Sequence, residues 1–212
     1  DCSDAEFIRD AYSTGLIDGV TTNPSLMLKA GKDPREVLKE ISDIFPFHAS
    51  VSAEVVGDSV EEMLEMADDY IEIGPNITIK VPLTPEGLKV CKDLSTDDVA
   101  VNVTLCFSTA QAILAAKAGA TYVSPFVGRV YDQQFDGIQL IEEISDVYAT
   151  HKQKTQILAA SIRDVHQVAS CFRVGADICT IPSKIFSGMY KHILTDQGIA
   201  KFDEDWTKLV GG

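Results

Sequence analysis

The chain has 212 residues, 45% of them hydrophobic and 24% charged, which suits one globular domain with a sizeable core. A formal net charge of −14 argues against nucleic acid or an anionic membrane surface as the main partner, although a few local cations could still hold a small anionic substrate. The five cysteines show no C-x-x-C spacing, and there is neither a signal-peptide pattern nor an apolar run of roughly 18 residues, so the sequence predicts reduced thiols, a cytoplasmic protein and no membrane span.

Strand-like runs rich in β-branched residues alternate with helical patterns along the whole chain. The runs lie at 18–22, 48–55, 76–82, 99–104, 120–127, 155–161 and 177–182. A strand that alternates with a helix predicts parallel pairing through right-handed crossovers. No Pro/Gly/Ser-rich linker interrupts 1–212, so we expect one α/β domain, with an extra helix at about 198–210.

Seven strands are one short of a closed (β/α)8 TIM barrel. The chain opens on Asp1 directly before a helical pattern, and we therefore expect a short first strand just upstream of that residue. A doubly wound open sheet is the alternative, but no G-x-G-x-x-G follows the first strand as a dinucleotide-binding sheet would require. The expected fold is a single-domain (β/α)8 barrel whose first strand is truncated.

Alternation within the strands separates an apolar face from a polar one. The stretch PNITIKVPLTPEG at 75–87 places Ile77, Ile79 and Val81 on one face and Lys80 on the other. A sheet half exposed to water would explain polar faces, but the intervening helices make that arrangement poor. In a barrel the polar faces point inward, and their residues converge near the C-terminal mouth where barrel enzymes carry their chemistry. The expected set is Glu54, Lys80, Asn102, Thr104, Ser124, Phe126 and Ser161.

An inward lysine has two readings. It can pair with Glu54 or extend toward water, since buried lysines are usually paired. It can also act as a nucleophile, because removal from water favours the neutral amine that attacks a ketone to form a Schiff base. The four histidines are scattered without ligand spacing, and neither a G-x-S-x-G elbow nor a Walker loop occurs, so lysine chemistry without metal or cofactor is the stronger hypothesis.

Six motifs in order along the chain carry a resemblance to a known family. They are DGVTTNPSL at 18–26, AEVVG at 53–57, ITIKVPLTPEGL at 77–88, VNVTLCFS at 101–108, YVSPFVGR at 122–129 and ILAAS at 157–161. Together they resemble the transaldolase/fructose-6-phosphate aldolase family, in its short subgroup. The resemblance implies a (β/α)8 barrel, no cofactor, and transfer of a dihydroxyacetone unit from fructose 6-phosphate or sedoheptulose 7-phosphate to an aldose phosphate in the pentose phosphate pathway.

The resemblance also implies a role for each matching position. Lys80 matches the Schiff-base lysine, and Asp1 the aspartate that takes and returns the hydroxyl proton. Glu54 and Thr104 match the pair that holds a catalytic water. Asn23 and Asn102 match the amides that bind the hydroxyls of the dihydroxyacetone moiety, and Ser124 lies beside them. The phosphate site is matched by Arg129, Ser161 and Arg163. We also expect Arg163 in the first turn of a helix whose N-terminus favours an anion.

Two positions bear on whether the enzyme transfers the dihydroxyacetone unit to an acceptor or releases it. Fructose-6-phosphate aldolases of this family characteristically carry glutamine and tyrosine where this chain has Glu54 and Phe126. A phenylalanine cannot donate a hydrogen bond to the catalytic water, so the resemblance favours a transaldolase, with an aldolase that releases free dihydroxyacetone as the alternative. A barrel that only binds a sugar phosphate would be expected to lack the lysine, which this chain has. An isomerase of phosphorylated sugars would be expected to pair a carboxylate with a histidine or a metal, and the sequence places neither suitably.

The expected C-terminal helix has an apolar stripe at Ile199, Phe202, Trp206 and Leu209. Taken alone, this spacing favours packing against the helix's own barrel. The resemblance implies instead a homo-oligomer, a pentamer or a decamer built from two pentamers.

Overall fold

A computed structural model describes residues 1–211 of the chain as seven strands and eleven helices. The strands are β1 (Gly19–Thr21), β2 (Ser50–Glu54), β3 (Ile77–Pro82), β4 (Val101–Cys106), β5 (Tyr122–Pro125), β6 (Gln156–Ala159) and β7 (Ile178–Cys179). The helices are α1 (Ala5–Ser13), α2 (Pro24–Ala30), α3 (Pro34–Ser42), α4 (Val60–Ile71), α5 (Pro85–Thr96), α6 (Thr109–Lys117), α7 (Val127–Asp132), α8 (Gly137–His151), α9 (Val165–Arg173), α10 (Ser183–Gly188) and α11 (Ile193–Val210).

All seven strands are parallel and lie side by side in chain order, from β1 to β7. The sheet curls into a half-barrel with helices between successive strands, which confirms the predicted (β/α)8-type architecture. Each strand falls within or close to its predicted run, although most are shorter than the runs of β-branched residues suggested.

The two faces of the sheet divide as the alternation predicted. Val51, Ile79 and Val103 are fully buried and belong to the core that the sheet forms with its helices. On the other face, polar side chains of neighbouring strands bond to one another, as in the 2.8 Å contact between Ser50 Oγ and Thr78 Oγ1. The barrel interior is therefore polar, and the apolar core lies between sheet and helices.

Asn76 lies just before β3 and closes the end of α3. Its Nδ2 donates to the carbonyls of Ser42 (2.9 Å) and Phe45 (3.1 Å), and its Oδ1 accepts from Ser42 Oγ at 2.6 Å. The side chain satisfies carbonyls that the end of a helix leaves without intrahelical partners.

The barrel is open between β7 and β1. Within residues 1–211 no strand pairs with the open edges of β1 and β7. The first two residues contact both sides of the opening. The backbone nitrogen of Asp1 donates to Ile181 O just after β7 (2.9 Å), and the backbone nitrogen of Cys2 donates to Thr21 O of β1 (3.1 Å). Asp1 and Cys2 also line a cavity of about 300 Å³ whose other side chains are mainly apolar.

The C-terminal helix exists but differs from expectation in two respects. α11 begins at Ile193, because His192 caps it by accepting Leu194 N–H at Nδ1 (3.2 Å). The prediction that its apolar stripe packs against its own barrel is wrong, since Phe202 and Trp206 are 74% and 65% exposed. No helix within the described residues is both long and apolar enough to cross a bilayer.

Candidate active site

Lys80 lies inside the barrel, where the alternation in β3 directs it. Its side chain is only 6% exposed, and its Nζ lies 2.8 Å from Glu54 Oε2 and donates to the Thr22 carbonyl at 3.2 Å. Glu54 is the register partner of Lys80 in the neighbouring strand, and its side chain is 13% exposed. The ion pair between Lys80 and Glu54, one of the two interpretations of an inward lysine, is thus present. It holds the buried amine beside a carboxylate that is able to exchange protons with it.

Asp1 and Asn23 lie next to each other at the same end of the barrel. Asp1 Oδ1 accepts from Thr21 Oγ1 (3.0 Å) and from Asn23 Nδ2 (3.4 Å). Asn23 also caps α2, because its Oδ1 accepts Leu26 N–H at 3.0 Å ahead of Pro24, a residue that favours the first helical position. The cap fixes the amide so that its NH2 group faces the Asp1 carboxylate.

Asn102 is fully buried at the centre of a polar chain that crosses the barrel. Its Nδ2 donates to Ser52 Oγ (3.3 Å), and its Oδ1 accepts from Ser124 Oγ (2.7 Å). Lys80 is its register partner in β3. This chain of hydrogen bonds links β2, β4 and β5 and gives the barrel interior a fixed set of donors and acceptors.

Thr104 Oγ1 is buried and has no hydrogen-bond partner among residues 1–211. A buried hydroxyl without a partner costs free energy, and such a group is a candidate to bind a water or a ligand atom. Directly after it, Leu105 adopts φ 60°, where the pairing of β4 with β5 shifts register. Irregularities of this kind gather near functional sites.

The expected phosphate side of the site lies on α7 and the end of β6. The Arg129 guanidinium lies 5.0 Å from the centre of the Phe126 ring, which in turn packs edge-on against Phe107 at 5.7 Å. A cation over an aromatic face is held without losing its N–H groups. Arg129 therefore remains able to bind an anion.

Arg163 lies outside the helix in which the sequence analysis placed it. α9 begins at Val165 and is capped by Asp164, whose Oδ1 accepts Gln167 N–H at 2.8 Å, so the prediction of a first-turn arginine is wrong. The Arg163 guanidinium instead forms a two-point contact with Asp132. Ser161, two residues earlier, adopts φ 58°.

Sequence reasoning missed four participants of this region. The Thr22 carbonyl binds the Lys80 amine, Thr21 binds Asp1, Ser52 binds Asn102, and Asp132 binds Arg163. Ser52 has the same inward parity as Glu54, which predicts its face of the sheet but not its contact with Asn102. A backbone carbonyl and an aspartate on a six-residue helix leave no trace in strand periodicity. The described residues include no group of three or more His, Cys, Asp and Glu side chains placed to hold a metal.

Comparison with known proteins identifies the family of the chain. The sequence profile of the family described as Transaldolase/Fructose-6-phosphate aldolase matches residues 1–212. Proteins named probable transaldolase are similar over nearly the full chain. The protein of Paracoccus denitrificans is 51% identical over 208 residues (98% of this chain and 95% of the relative), and that of Caulobacter vibrioides is 48% identical over 206 residues (97% and 94%). The chain therefore belongs to the transaldolase/fructose-6-phosphate aldolase family.

Proposed function

We propose that this protein is a transaldolase that transfers a dihydroxyacetone unit from a ketose phosphate to an aldose phosphate through a Schiff base on Lys80. The observation that carries the proposal is the buried Lys80 amine, held 2.8 Å from the Glu54 carboxylate inside the barrel. Family membership and relatives named probable transaldolase support it.

Formation of the imine needs a nucleophile and a route for protons. Lys80 attacks C2 of the ketose, and the carbinolamine loses water to leave a protonated imine. Glu54 is in contact with the reacting amine and can take and return its proton. The unpartnered Thr104 hydroxyl on β4 supports its role as the second holder of the shuttling water.

The protonated imine draws electrons, so the C3–C4 bond can break and leave an enamine on Lys80. Asp1 accepts the C4 hydroxyl proton as glyceraldehyde 3-phosphate leaves, and returns it when the enamine attacks the acceptor aldehyde. Its carboxylate, held by Thr21 and Asn23, has a fixed orientation for that exchange. Water then releases the new ketose from Lys80.

Substrate recognition divides between two regions. Asn23, Asn102 and Ser124 offer amide and hydroxyl groups to the hydroxyls of the dihydroxyacetone moiety. Arg129, Ser161 and Arg163 bind the phosphate, since guanidinium groups bind phosphate oxygens in pairs. The acidic net charge does not oppose this, because the two arginines act locally.

Phe126 favours transfer over net cleavage. Its ring lies between Phe107 and Arg129 and offers no hydroxyl to protonate the enamine or to bind the water. An enamine that is not protonated survives until an acceptor arrives. The second candidate, a fructose-6-phosphate aldolase, requires that water reach the enamine first.

The exposed stripe on α11 supports the expectation of a homo-oligomer, pentamer or decamer, because a second copy can cover it. Five cysteines free of disulfides in the described chain are compatible with the cytoplasm, the compartment of the pentose phosphate pathway.

Borohydride trapping tests nucleophile and donor together. Incubation with fructose 6-phosphate, reduction and peptide mapping are expected to place the added mass on Lys80 alone. Addition on Lys89 or Lys184 would overturn the site. In parallel, free dihydroxyacetone is measured against transfer to erythrose 4-phosphate, and dominant release would identify an aldolase.

A further inference from the structure

One carboxylate accepts a hydrogen bond from each of the two terminal nitrogens of the Arg163 guanidinium. Its Nη1 donates to Asp132 Oδ1 at 2.6 Å and its Nη2 to Asp132 Oδ2 at 2.5 Å. This is the paired geometry that an arginine uses to bind a phosphate. While the pair is closed, those two N–H groups are not available to a substrate.

The path of the Arg163 side chain depends on Gly128. A Cβ at this position would lie 2.7 Å from Arg163 Nε, 3.0 Å from its Cγ and 2.1 Å from Ser161 O. The absence of a side chain therefore lets the arginine lie along α7. Asp132 is four residues after Gly128, on the same face of that helix, and meets the guanidinium at its far end.

Asp132 also shares a cavity with the other arginine of the expected phosphate site. Both Asp132 and Arg129 line a surface cavity of about 440 Å³, together with Phe107 and Phe135. A phosphate bound by Arg129 and Arg163 in this region would meet the Asp132 carboxylate, a like charge. The side chains of Asp132 and Arg163 are about half exposed (45% and 51%), so the pair can open without unfolding the core.

We propose that Asp132 is a positioning residue that competes with the substrate phosphate for Arg163. It holds the guanidinium in place in the free enzyme and gives it up when a phosphate binds. This inference rests on the proposed function, which assigns Arg163 to the phosphate. Because only the open fraction of molecules binds phosphate through Arg163, the apparent dissociation constant is the intrinsic one divided by that fraction.

The competition acts on phosphorylated ligands and leaves others untouched. A ketose without phosphate has no group to exchange with Asp132, so opening the pair brings it nothing. Asp132 thus lowers the affinity for the phosphate itself, and by the same step eases product release. An exposed ion pair of ordinary strength corresponds to an effect of about two- to fivefold.

Calorimetric titration of the full-length protein with inorganic phosphate tests the proposal without relying on turnover. Asp132→Asn keeps the shape of the side chain and removes its charge, and we expect it to lower the phosphate dissociation constant by about two- to fivefold. Asp69→Asn is the matched control, because Asp69 forms a half-exposed 2.8 Å pair with Arg35 and loses the same charge. We expect no change there.

Arg163→Gln separates this proposal from the proposed function. If Arg163→Gln weakens phosphate binding while Asp132→Asn leaves it unchanged or weaker, the competition is wrong and the phosphate site stands. If Arg163→Gln has no effect, the phosphate assignment and the competition both fail. Tighter binding in Asp132→Asn, with a lower KM for fructose 6-phosphate and an unchanged KM for unphosphorylated fructose, supports the competition. Tighter phosphate binding in Asp132→Asn supports the competition whether or not the protein has transaldolase activity.

Discussion

Lys80 and Glu54 lie opposite each other on adjacent parallel strands, with Nζ 2.8 Å from Oε2 in the interior of the barrel. Strand register makes the two residues neighbours on one face, and the conformations of their side chains bring the charged groups into contact. A buried pair of this kind is costly to break, because removal of one partner leaves an unpaired buried charge. The carboxylate that pairs with the Lys80 amine is thus also placed to exchange protons with it.

Replacement of Lys80 by methionine is expected to abolish transfer, with a loss of 10³-fold or more by the order of magnitude seen for lost nucleophiles. Methionine has a similar length but no amine, so no imine forms and borohydride labelling disappears. Lys89→Met on the exposed side of α5 is the control and retains activity. Full turnover in Lys80→Met would refute the mechanism.

Phe126→Tyr is expected to raise release of free dihydroxyacetone relative to transfer by roughly tenfold, less than the roughly 10²–10⁴-fold that a fully positioned proton donor contributes. The new hydroxyl would face the water near the enamine and speed its protonation. The two products are measured in one assay with a fixed acceptor concentration. Phe47→Tyr, at a 74% exposed position between α3 and β2, adds the same hydroxyl outside the candidate site. An equal shift in both variants would contradict the role of Phe126.

Asn76→Ala is expected to lower the free energy of unfolding by ~2–4 kcal/mol, because it leaves buried carbonyls at the end of α3 without donors. Thermal or urea unfolding measures the loss. Gln197→Ala on α11, an exposed position, serves as the control and changes stability little. A change below ~0.5 kcal/mol in Asn76→Ala would show that water replaces the amide.

Burial raises the pKa of the Cys91 and Cys106 thiols to about 12. Each thiol is protonated in the fold and ionises near its ordinary pKa of 9.0 once the chain is unfolded. Its contribution to stability is therefore present below about pH 9 and is lost as the pH rises toward 12. At pH 8 we expect iodoacetamide to modify Cys2 and to spare both buried thiols until the chain unfolds. Equal labelling of Cys91 in native and denatured protein would contradict this.

The exposed face of α11 is expected to be covered by other copies of the chain. Light scattering should then give a mass well above the 23.0 kDa of one chain. Asp replacements at Phe202 and Trp206, which are 74% and 65% exposed, should shift the mass toward one chain. Asp replacement of Lys201 on the same helix is the control. A wild-type mass of one chain at working concentration would remove the oligomer.

The inward placement of the candidate site residues was predictable where it depends on strand parity. Glu54, Lys80, Asn102 and Thr104 occupy alternate positions in β-branched runs, and the strict period of two leaves one choice of face for each. Arg163 was not predictable in this way. It follows a strand end, where the backbone of Ser161 adopts a left-handed conformation, and its partner comes from a different helix.

The sequence by itself determined the alternation of strand and helix, the polar interior, and the lysine that faces into it, because local periodicity dictates them. Only the tertiary structure decided that Lys80 pairs with Glu54 and that Thr104 Oγ1 finds no hydrogen-bond partner among residues 1–211. It also decided that Asp132 holds Arg163 and that α11 stands away from the barrel. These facts depend on distances between residues remote in the chain, and such distances are set by packing and register rather than by local pattern.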